Sequence, residues 1–498
     1  VVAAFVSAAA VLIFWIRFLN WAYLRPKRLE KLLRKQGFKG NRYRFVSGDS
    51  KEIQQIDWSC RRNPINLGDD IKPNVAGFFA KSIKTYGNCC FYWAGPTPTV
   101  ILNDPEMVKE VLNKPDFYGR PRSSNPLGRL LARGLVHLEG QKWLKHRRLM
   151  NPAFHLDKLK LMLPAFKSSC EEVLNEWEKK LSFSAEIDVW PYIQTIASDS
   201  ISRTAFGSSY EEGRKIFQLQ REQAEYVLEA MSAAVYVPGS QYLPTRRNRR
   251  MKEIDREVVA VIRGLIRRRM DAGGEERGDD LLGLMLESNE MEQPRGGMSM
   301  DDIVEECKLF YLAGQETTAA LILWTMVLLG RHPEWQDKSR EEVLHVFGKN
   351  TPDFEGLTRL RVVNKVLLEV LRLYPSLSSI GRRVKEQVKV GEVTLPAGVN
   401  VTLPIIFLHH DAEIWGADAL EFNPERFGAR IGGGAYIPFS WGPRVCIGQA
   451  FAMVEAKIAV SMILQSFSFR LSPSYVHAPI TRITTQPQHG ARLILHKL

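Results

Sequence analysis

Phe439-Ser440-Trp441-Gly442-Pro443-Arg444-Val445-Cys446-Ile447-Gly448 places one cysteine on a loop punctuated by glycines, with an arginine two residues before it. A thiolate in that setting suits an axial ligand to haem iron. Gly442 and Gly448 allow the backbone to approach a flat macrocycle where a side chain would clash. Arg444 is placed to neutralise a propionate. The apolar run Gln449 to Leu464 predicts a long helix whose N-terminal end favours a thiolate. Taken alone, the loop is also compatible with a buried, inert cysteine.

This decapeptide resembles the haem-binding signature of cytochromes P450, Phe-x-x-Gly-x-Arg-x-Cys-x-Gly, at every fixed position. Three further motifs follow the order of that family: Ala313-Gly314-Gln315-Glu316-Thr317-Thr318, Glu369-Val370-Leu371-Arg372 and Pro424-Glu425-Arg426-Phe427. The resemblance covers the chain after roughly its first forty residues. It implies a mainly α fold with a small β part, haem b held by the Cys446 thiolate, and electrons from NADPH-cytochrome P450 reductase, with cytochrome b5 as a second donor. The implied reaction inserts one oxygen atom from O₂ into a C–H bond.

The 498 residues contain no interior Gly/Ser/Pro linker, repeat or low-complexity tract, and 45% are hydrophobic, enough for one large core. Residues 1–16 carry no charge, and apolar character runs on past Arg17 to Leu24, about the ~20 residues a membrane span needs. Arg25, Lys27, Arg28, Lys31, Arg34 and Lys35 follow, which would keep the downstream side cytosolic. The expected division is a membrane anchor over 1–24, a basic amphipathic segment over 25–45 and a catalytic domain over 46–498. A cleaved signal peptide is disfavoured, since no small-residue cleavage site precedes the basic cluster. The sequence does not begin with Met, which leaves room for residues upstream. In the resembled family such an anchor sits in the endoplasmic reticulum membrane as a single pass, with the catalytic domain on the cytosolic side.

The net charge is +13. Arg246-Arg247-Asn248-Arg249-Arg250 and Arg267-Arg268-Arg269 have no nucleic-acid motif beside them, and the second run reads as the solvated face of a helix. Anionic lipid and an acidic redox partner account for the excess. The six cysteines form no zinc or CxxC pattern, which points to a reducing compartment rather than a disulfide framework. Among them, Cys446 is the metal ligand the resemblance implies. No glycine-rich dinucleotide or phosphate loop is present, so NADPH and flavin belong on a partner.

Helical periodicity predicts helices over 104–113, 140–151, 157–181, 190–206, 211–235, 251–271, 301–330, 333–347, 359–373 and 449–466. Strands are expected at Cys90–Trp93, Thr97–Leu102, Val388–Val390, Val399–Pro404 and Arg492–His496. Residues 272–299 read as a surface loop interrupted by a short helix, Asp279–Leu286.

Within 301–330, Gly314, Glu316, Thr317 and Thr318 interrupt an apolar run. Ala313 and Thr317 share one face, and the Thr317 hydroxyl can bond back to the Ala313 carbonyl and bend the helix, leaving a groove beside Gly314 for a diatomic ligand. The resemblance implies that Glu316 and Thr317 relay protons to dioxygen. The other reading is a kink with no catalytic part. Trp143 and Arg147, four apart, resemble the family pair that contacts a propionate, as does Arg382, with Arg383 a rival. Phe439, Gly442 and Gly448 complete the implied haem contacts. Glu369, Arg372 and Arg426 are assigned structural roles. Lys142, Lys145 and Arg148 fit a reductase-facing basic patch or ordinary solvated charge equally well. His409 and His410 are adjacent, without further ligand spacing, and read as structural.

By resemblance, Tyr118–Val136, Ala224–Pro238, Leu309–Ala313, Leu377–Ile380 and the turn at Thr484-Thr485 would line a mainly apolar pocket, suited to a bulky lipophilic substrate. Arg25-Pro26-Lys27-Arg28-Leu29, Ser202 to Tyr210 and Pro487-Gln488-His489-Gly490-Ala491 are similar to a plant clan containing secologanin synthase, triterpenoid oxidases and brassinosteroid- and gibberellin-modifying hydroxylases, which suggests an isoprenoid-derived substrate. A haem-thiolate isomerase or dehydratase, or a non-catalytic haem or lipid binder, are the competing readings. The oxygen motif argues against the first of these and the intact motifs against the second.

Overall fold

The computed structural model describes residues 2–60, 63–121, 126–208, 210–232, 239–271, 280–292, 297–428 and 434–498. Helices hold 63% of the chain and strands 11%, a mainly α protein with a minor β part. The expected pocket stretches at 122–125 and 233–238, the end of the helix expected to reach 235, and the start of the 272–299 loop lie outside the described residues.

The axis of the fold is the helix Met300–Arg331, about 48 Å long at 1.5 Å per residue. It starts cleanly: Ser299 Oγ accepts from Asp302 N–H at 3.1 Å while the Asp302 carboxylate accepts from Ser299 N–H at 3.3 Å, a reciprocal cap that satisfies two otherwise orphaned donors. It is apolar on all sides because it is a core helix, 78% buried, packed by Trp190–Phe206 and Gln449–Ser466. Helix runs through Gly314, in keeping with the single helix expected over 301–330.

Beside this mass lies a six-stranded sheet in the order Lys39–Gly40, Cys89–Ala94, Thr97–Leu102, Asn400–Leu403, Ile380–Val384, Tyr118–Gly119. A second sheet joins Phe467–Leu471, Arg492–Lys497 and Glu186–Asp188, and two hairpins, Val388–Val390 with Val393–Leu395 and Pro479–Thr481 with Thr485–Pro487, complete the β part. In Ile380–Val384 the odd member faces out: Ile380, Arg382 and Val384 are buried while Gly381 and Arg383 are half-buried. Period-2 alternation therefore assigns Arg382, not Arg383, to the interior.

Several expectations change. The helix expected over 359–373 is two, Phe354–Arg359 and Val362–Leu373, separated at Leu360 and Arg361. The helix inside the 272–299 loop is longer, Leu281–Glu292. Helices Ser50–Cys60 and Lys72–Tyr86 were not expected. The arginine runs are paired: Arg250 forks onto Glu222 at 2.8 and 2.7 Å, and Arg269 meets Asp280 at 2.8 Å.

Val2–Leu19 continues through a wide turn, Asn20–Leu24, into Arg25–Lys35. The stretch Phe5–Lys35 is long and apolar enough to cross a membrane and is only 6% buried. Its far end is fastened to the globular part. Tyr43 donates its hydroxyl to the Ala22 carbonyl at 2.6 Å, and the Glu30 carboxylate is bridged by Lys27 and Arg34.

Candidate haem-thiolate site

Cys446 sits on a loop closed by its own backbone: Cys446 N–H donates to the Phe439 carbonyl at 2.9 Å, around the turn Gly442–Arg444. Ser440 (φ 67°) and Gly442 (φ 72°) adopt left-handed backbone. A Cβ on Gly442 would lie 2.7 Å from both Asn113 Oδ1 and the Leu112 carbonyl oxygen, so protein contacts demand this glycine before any macrocycle is considered. Gly448 differs: a Cβ there would meet only Phe154, at 3.9 Å. The thiol is accessible to solvent although protein crowds it. Crowding pushes its pKa up, while the Gly448 N–H and the Arg147 charge act in the opposite sense. A metal ion would overcome that penalty and deprotonate it.

Three guanidiniums converge beside this loop. Arg444 stacks on the Trp143 ring at 4.4 Å and donates Nη2 to the Leu138 carbonyl at 2.8 Å, but its buried Nη1 has no partner. Among the described residues Arg382 bonds only the carbonyl of its neighbour Gly381, at 2.9 Å. Arg120 leaves Nε buried and unpaired. Burial and mutual repulsion hold Arg120 down to about 10 and Arg382 to about 9, and burial lowers Arg444 as well. Glu139 is the carboxylate that acts on Arg120 and Arg444. Three clustered cations with one carboxylate acting on two of them, and with buried donors unused on Arg120 and Arg444, are chemically suited to a further anionic group, and the paired carboxylates of a haem fit that chemistry. Arg120 was missed in the sequence. It is one of four arginines in the expected pocket loop, with Arg122, Arg129 and Arg133, and nothing in the sequence singled it out.

Arg147 commits Nη1 to the Val445 carbonyl at 2.8 Å and Nε to Asn151 at 2.8 Å, so it braces the cysteine loop from behind.

On the central helix Thr317 Oγ1 donates to the Ala313 carbonyl at 2.7 Å, as the four-residue spacing requires. Ser376 donates Oγ to the Thr317 carbonyl at 3.1 Å and ties the segment after Pro375 to this turn. The space beside Gly314, expected to admit a diatomic ligand, holds Ile201: a Cβ on Gly314 would lie 2.7 Å from its Cγ1. Gly314 thus permits close helix packing. Glu316 is 9% exposed, and burial raises its pKa against the opposing charges of Arg221 and Arg482.

Pocket expectations resolve in part. Leu127 and Leu130 cluster with Val227 and Met251. Ala224, Leu228, Leu312 and Ile483 line a cavity of about 170 Å³ that also carries Gln220, Arg221, Glu316 and Gln486, a more polar lining than expected. Thr485 is structural: its hydroxyl donates to the Pro375 carbonyl at 2.8 Å and its carbonyl accepts from Trp324 Nε1 at 2.9 Å.

Glu369 and Arg372 form a two-pronged ion pair at 2.7 and 2.7 Å, both fully buried, with Arg426 on the same carboxylate at 3.2 Å. His409 accepts from Ile437 N–H at 3.0 Å and His410 bonds the Leu373 carbonyl at 2.9 Å. No cluster of three or more His, Cys, Asp or Glu able to hold a metal ion occurs among the described residues. Lys142 is drawn to Asp302 at 2.6 Å, which leaves the supposed basic patch weaker than its sequence suggests.

A loop cysteine under a converging arginine receptor, beside a long helix with a hydroxyl-bearing turn, defines a haem-thiolate enzyme. A family model for cytochrome P450 matches residues 61–492. The chain belongs to the cytochrome P450 family, monooxygenases that bind haem with a cysteine thiolate as axial ligand, and within it to the plant CYP72 clan. It is 53% identical to cytochrome P450 CYP72A219 of Panax ginseng over 100% of this chain and 98% of the relative. It is 52% identical to cytochrome P450 72A397 of Kalopanax septemlobus over 96% and 95%, and 49% identical to cytochrome P450 72A15 of Arabidopsis thaliana over 98% and 97%.

Proposed function

We propose that this monooxygenase holds haem through Cys446, with Arg120, Arg382 and Arg444 receiving the two propionates and Trp143 backing Arg444. The carrying observation is the set of buried guanidinium donors left unpaired around an accessible thiol. When bound, the haem supplies activation of dioxygen and insertion of one oxygen atom into a C–H bond. The protein's share is positioning and proton handling. Phe439 and Arg147 fix the loop through its backbone, Ala313 and Thr317 form the hydroxyl-bearing turn, and Glu316 moves protons from the solvent side. Electrons come from NADPH through a reductase on the cytosolic face of the endoplasmic reticulum, where residues 1–24 anchor the chain. The substrate is a bulky, lipophilic isoprenoid, and the polar cavity wall favours one that carries oxygen functions.

The test is reconstitution with a plant reductase and NADPH under isotopically labelled oxygen, against a terpenoid panel. One labelled atom in product, dependent on NADPH, is expected. Isomerised or dehydrated product formed without NADPH would overturn the reading. Thr317→Ala is expected to keep NADPH consumption while product per NADPH falls by roughly tenfold or more, short of the ~10²–10⁴-fold of a full general acid–base effect because Glu316 remains. Unchanged coupling would remove Thr317 from proton handling.

A further inference from the structure

Glu316 and Thr317 are neighbours on a helix, so their side chains leave the axis in different directions and do not face each other. They are engaged accordingly. Thr317 bonds the Ala313 carbonyl, whereas Glu316 Oε2 accepts from Gln486 Nε2 and, at 3.4 Å, from Thr484 Oγ1. Gln486 Nε2 also reaches Thr484 Oγ1 at 2.9 Å. Both partners belong to the C-terminal hairpin, on its strand Thr485–Pro487 and in the turn just before it. Gln486 is 8% exposed and Thr484 fully buried, so the contact is screened from bulk water.

The cavity of about 170 Å³ reaches this carboxyl. On its wall Gln315 has a buried Nε2 donor without a partner and Gln220 a buried Oε1 acceptor without one, although each residue is 3% exposed. Gln220 spends its own Nε2 on the Lys308 carbonyl at 2.7 Å. An unused donor and an unused acceptor in one polar cavity are what ordered water satisfies. The charged groups facing the carboxyl are Arg221 from helix Tyr210–Ser232 and Arg482 from the hairpin turn, with Glu225 opposite Arg482 at 3.9 Å.

We propose that Gln486 is a positioning residue for proton supply: with Thr484 it holds the Glu316 carboxyl at the wall of the polar cavity, where ordered water would reach it, and so sets how readily that carboxylate takes up a solvent proton. One proton enters from solvent for each one passed on, and Glu316 returns to carboxylate. The hairpin thus sets how readily the acid reloads. This rests on the reading of Glu316 and Thr317 as the proton-handling pair.

Infrared difference spectra of the full-length, haem-loaded protein, titrated with pH, isolate the protonated Glu316 carboxyl as the band missing in Glu316→Gln. Gln486→Leu removes a donor to the carboxylate and is expected to move the midpoint of that band upward by roughly one pH unit. Thr484→Ala is expected to move it the same way by less, and it keeps the test intact where the leucine variant folds poorly. With reductase and NADPH, Gln486→Leu is also expected to raise peroxide released per NADPH consumed by about threefold or more, a small part of the ~10²–10⁴-fold a general acid contributes, since Glu316 itself remains. An unchanged midpoint and peroxide ratio in both variants, at wild-type haem content, would overturn the proposal. So would a Glu316→Gln protein that loses no carboxyl band at any pH. If NADPH is not consumed at all, the monooxygenase reading fails, while the infrared titration still decides the role of Gln486.

Discussion

Two buried arginine sites in this molecule are built to opposite rules. Arg372 has its donors occupied: Nε and Nη2 on Glu369, Nη1 on the carbonyls of His409 at 2.8 Å and Ala419 at 2.5 Å, and Nη2 on Glu421 O at 3.2 Å. Arg426 completes the group through Asp418 at 2.7 Å, and these partners push its pKa up against burial. Arg120 and Arg444 share the one carboxylate of Glu139, and each leaves a buried donor bare, while Arg382 feels only the two neighbouring cations. Buried charge persists only when paired. The first site is complete within the chain, as a structural site requires, while the second is left open for the anionic guest proposed above. Arg372 and Arg382 are alike in residue type and burial, and the partner inventory separates them.

The sharpest way to break this contrast is to remove a partner from the complete site. Glu369→Ala leaves Arg372 buried and uncompensated and is expected to cost about 3–5 kcal/mol, read as a large loss of folded protein in denaturant titration. A cost under about 1 kcal/mol would mean that the Arg372 network contributes little. At the open site, Arg382→Leu is expected to weaken haem binding by roughly 10–100-fold, the equivalent of one charge-assisted contact, with apoprotein stability unchanged or higher because a repelling cation is gone. A destabilised apoprotein would place Arg382 with Arg372. Ser376→Ala removes the bond to the Thr317 carbonyl and is expected to cost about 1 kcal/mol in denaturant titration, with haem content unchanged. Smallest is Lys142→Ala: its pair with Asp302 is half exposed, so thermal melts are expected to shift by under ~1 kcal/mol, while a slower reductase reaction would restore Lys142 to the docking patch.

The sequence was informative where chemistry or periodicity repeats. The long helices were visible in periodicity, whereas the cysteine loop and the Glu369–Arg372 pair, ambiguous by spacing alone, were carried by the family resemblance. The Thr317-to-Ala313 hydrogen bond follows from a four-residue interval. It was silent where partners come from afar. Arg120 joins Arg382 and Arg444 only after a sheet edge and a loop have been folded together. Gly314 and Gly442 are fixed by Ile201 and by the end of helix Pro105–Asn113, far from them in the chain. Strands of two or three residues, such as Lys39–Gly40 and Tyr118–Gly119, are too short to show alternation. Helix Ser50–Cys60 buries none of its residues and so lacks a clear apolar stripe.

The central claim is that the open arginine site exists for the two carboxylates of a haem. Its most direct test compares binding of haem with binding of haem dimethyl ester, whose propionates carry no charge, to the apoprotein and to Arg382→Leu. The account predicts that the ester binds the wild-type protein at least roughly 100-fold more weakly than haem, the equivalent of losing two charge-assisted contacts, and that this gap narrows in Arg382→Leu. Equal affinity for haem and its ester in the wild-type protein would contradict it.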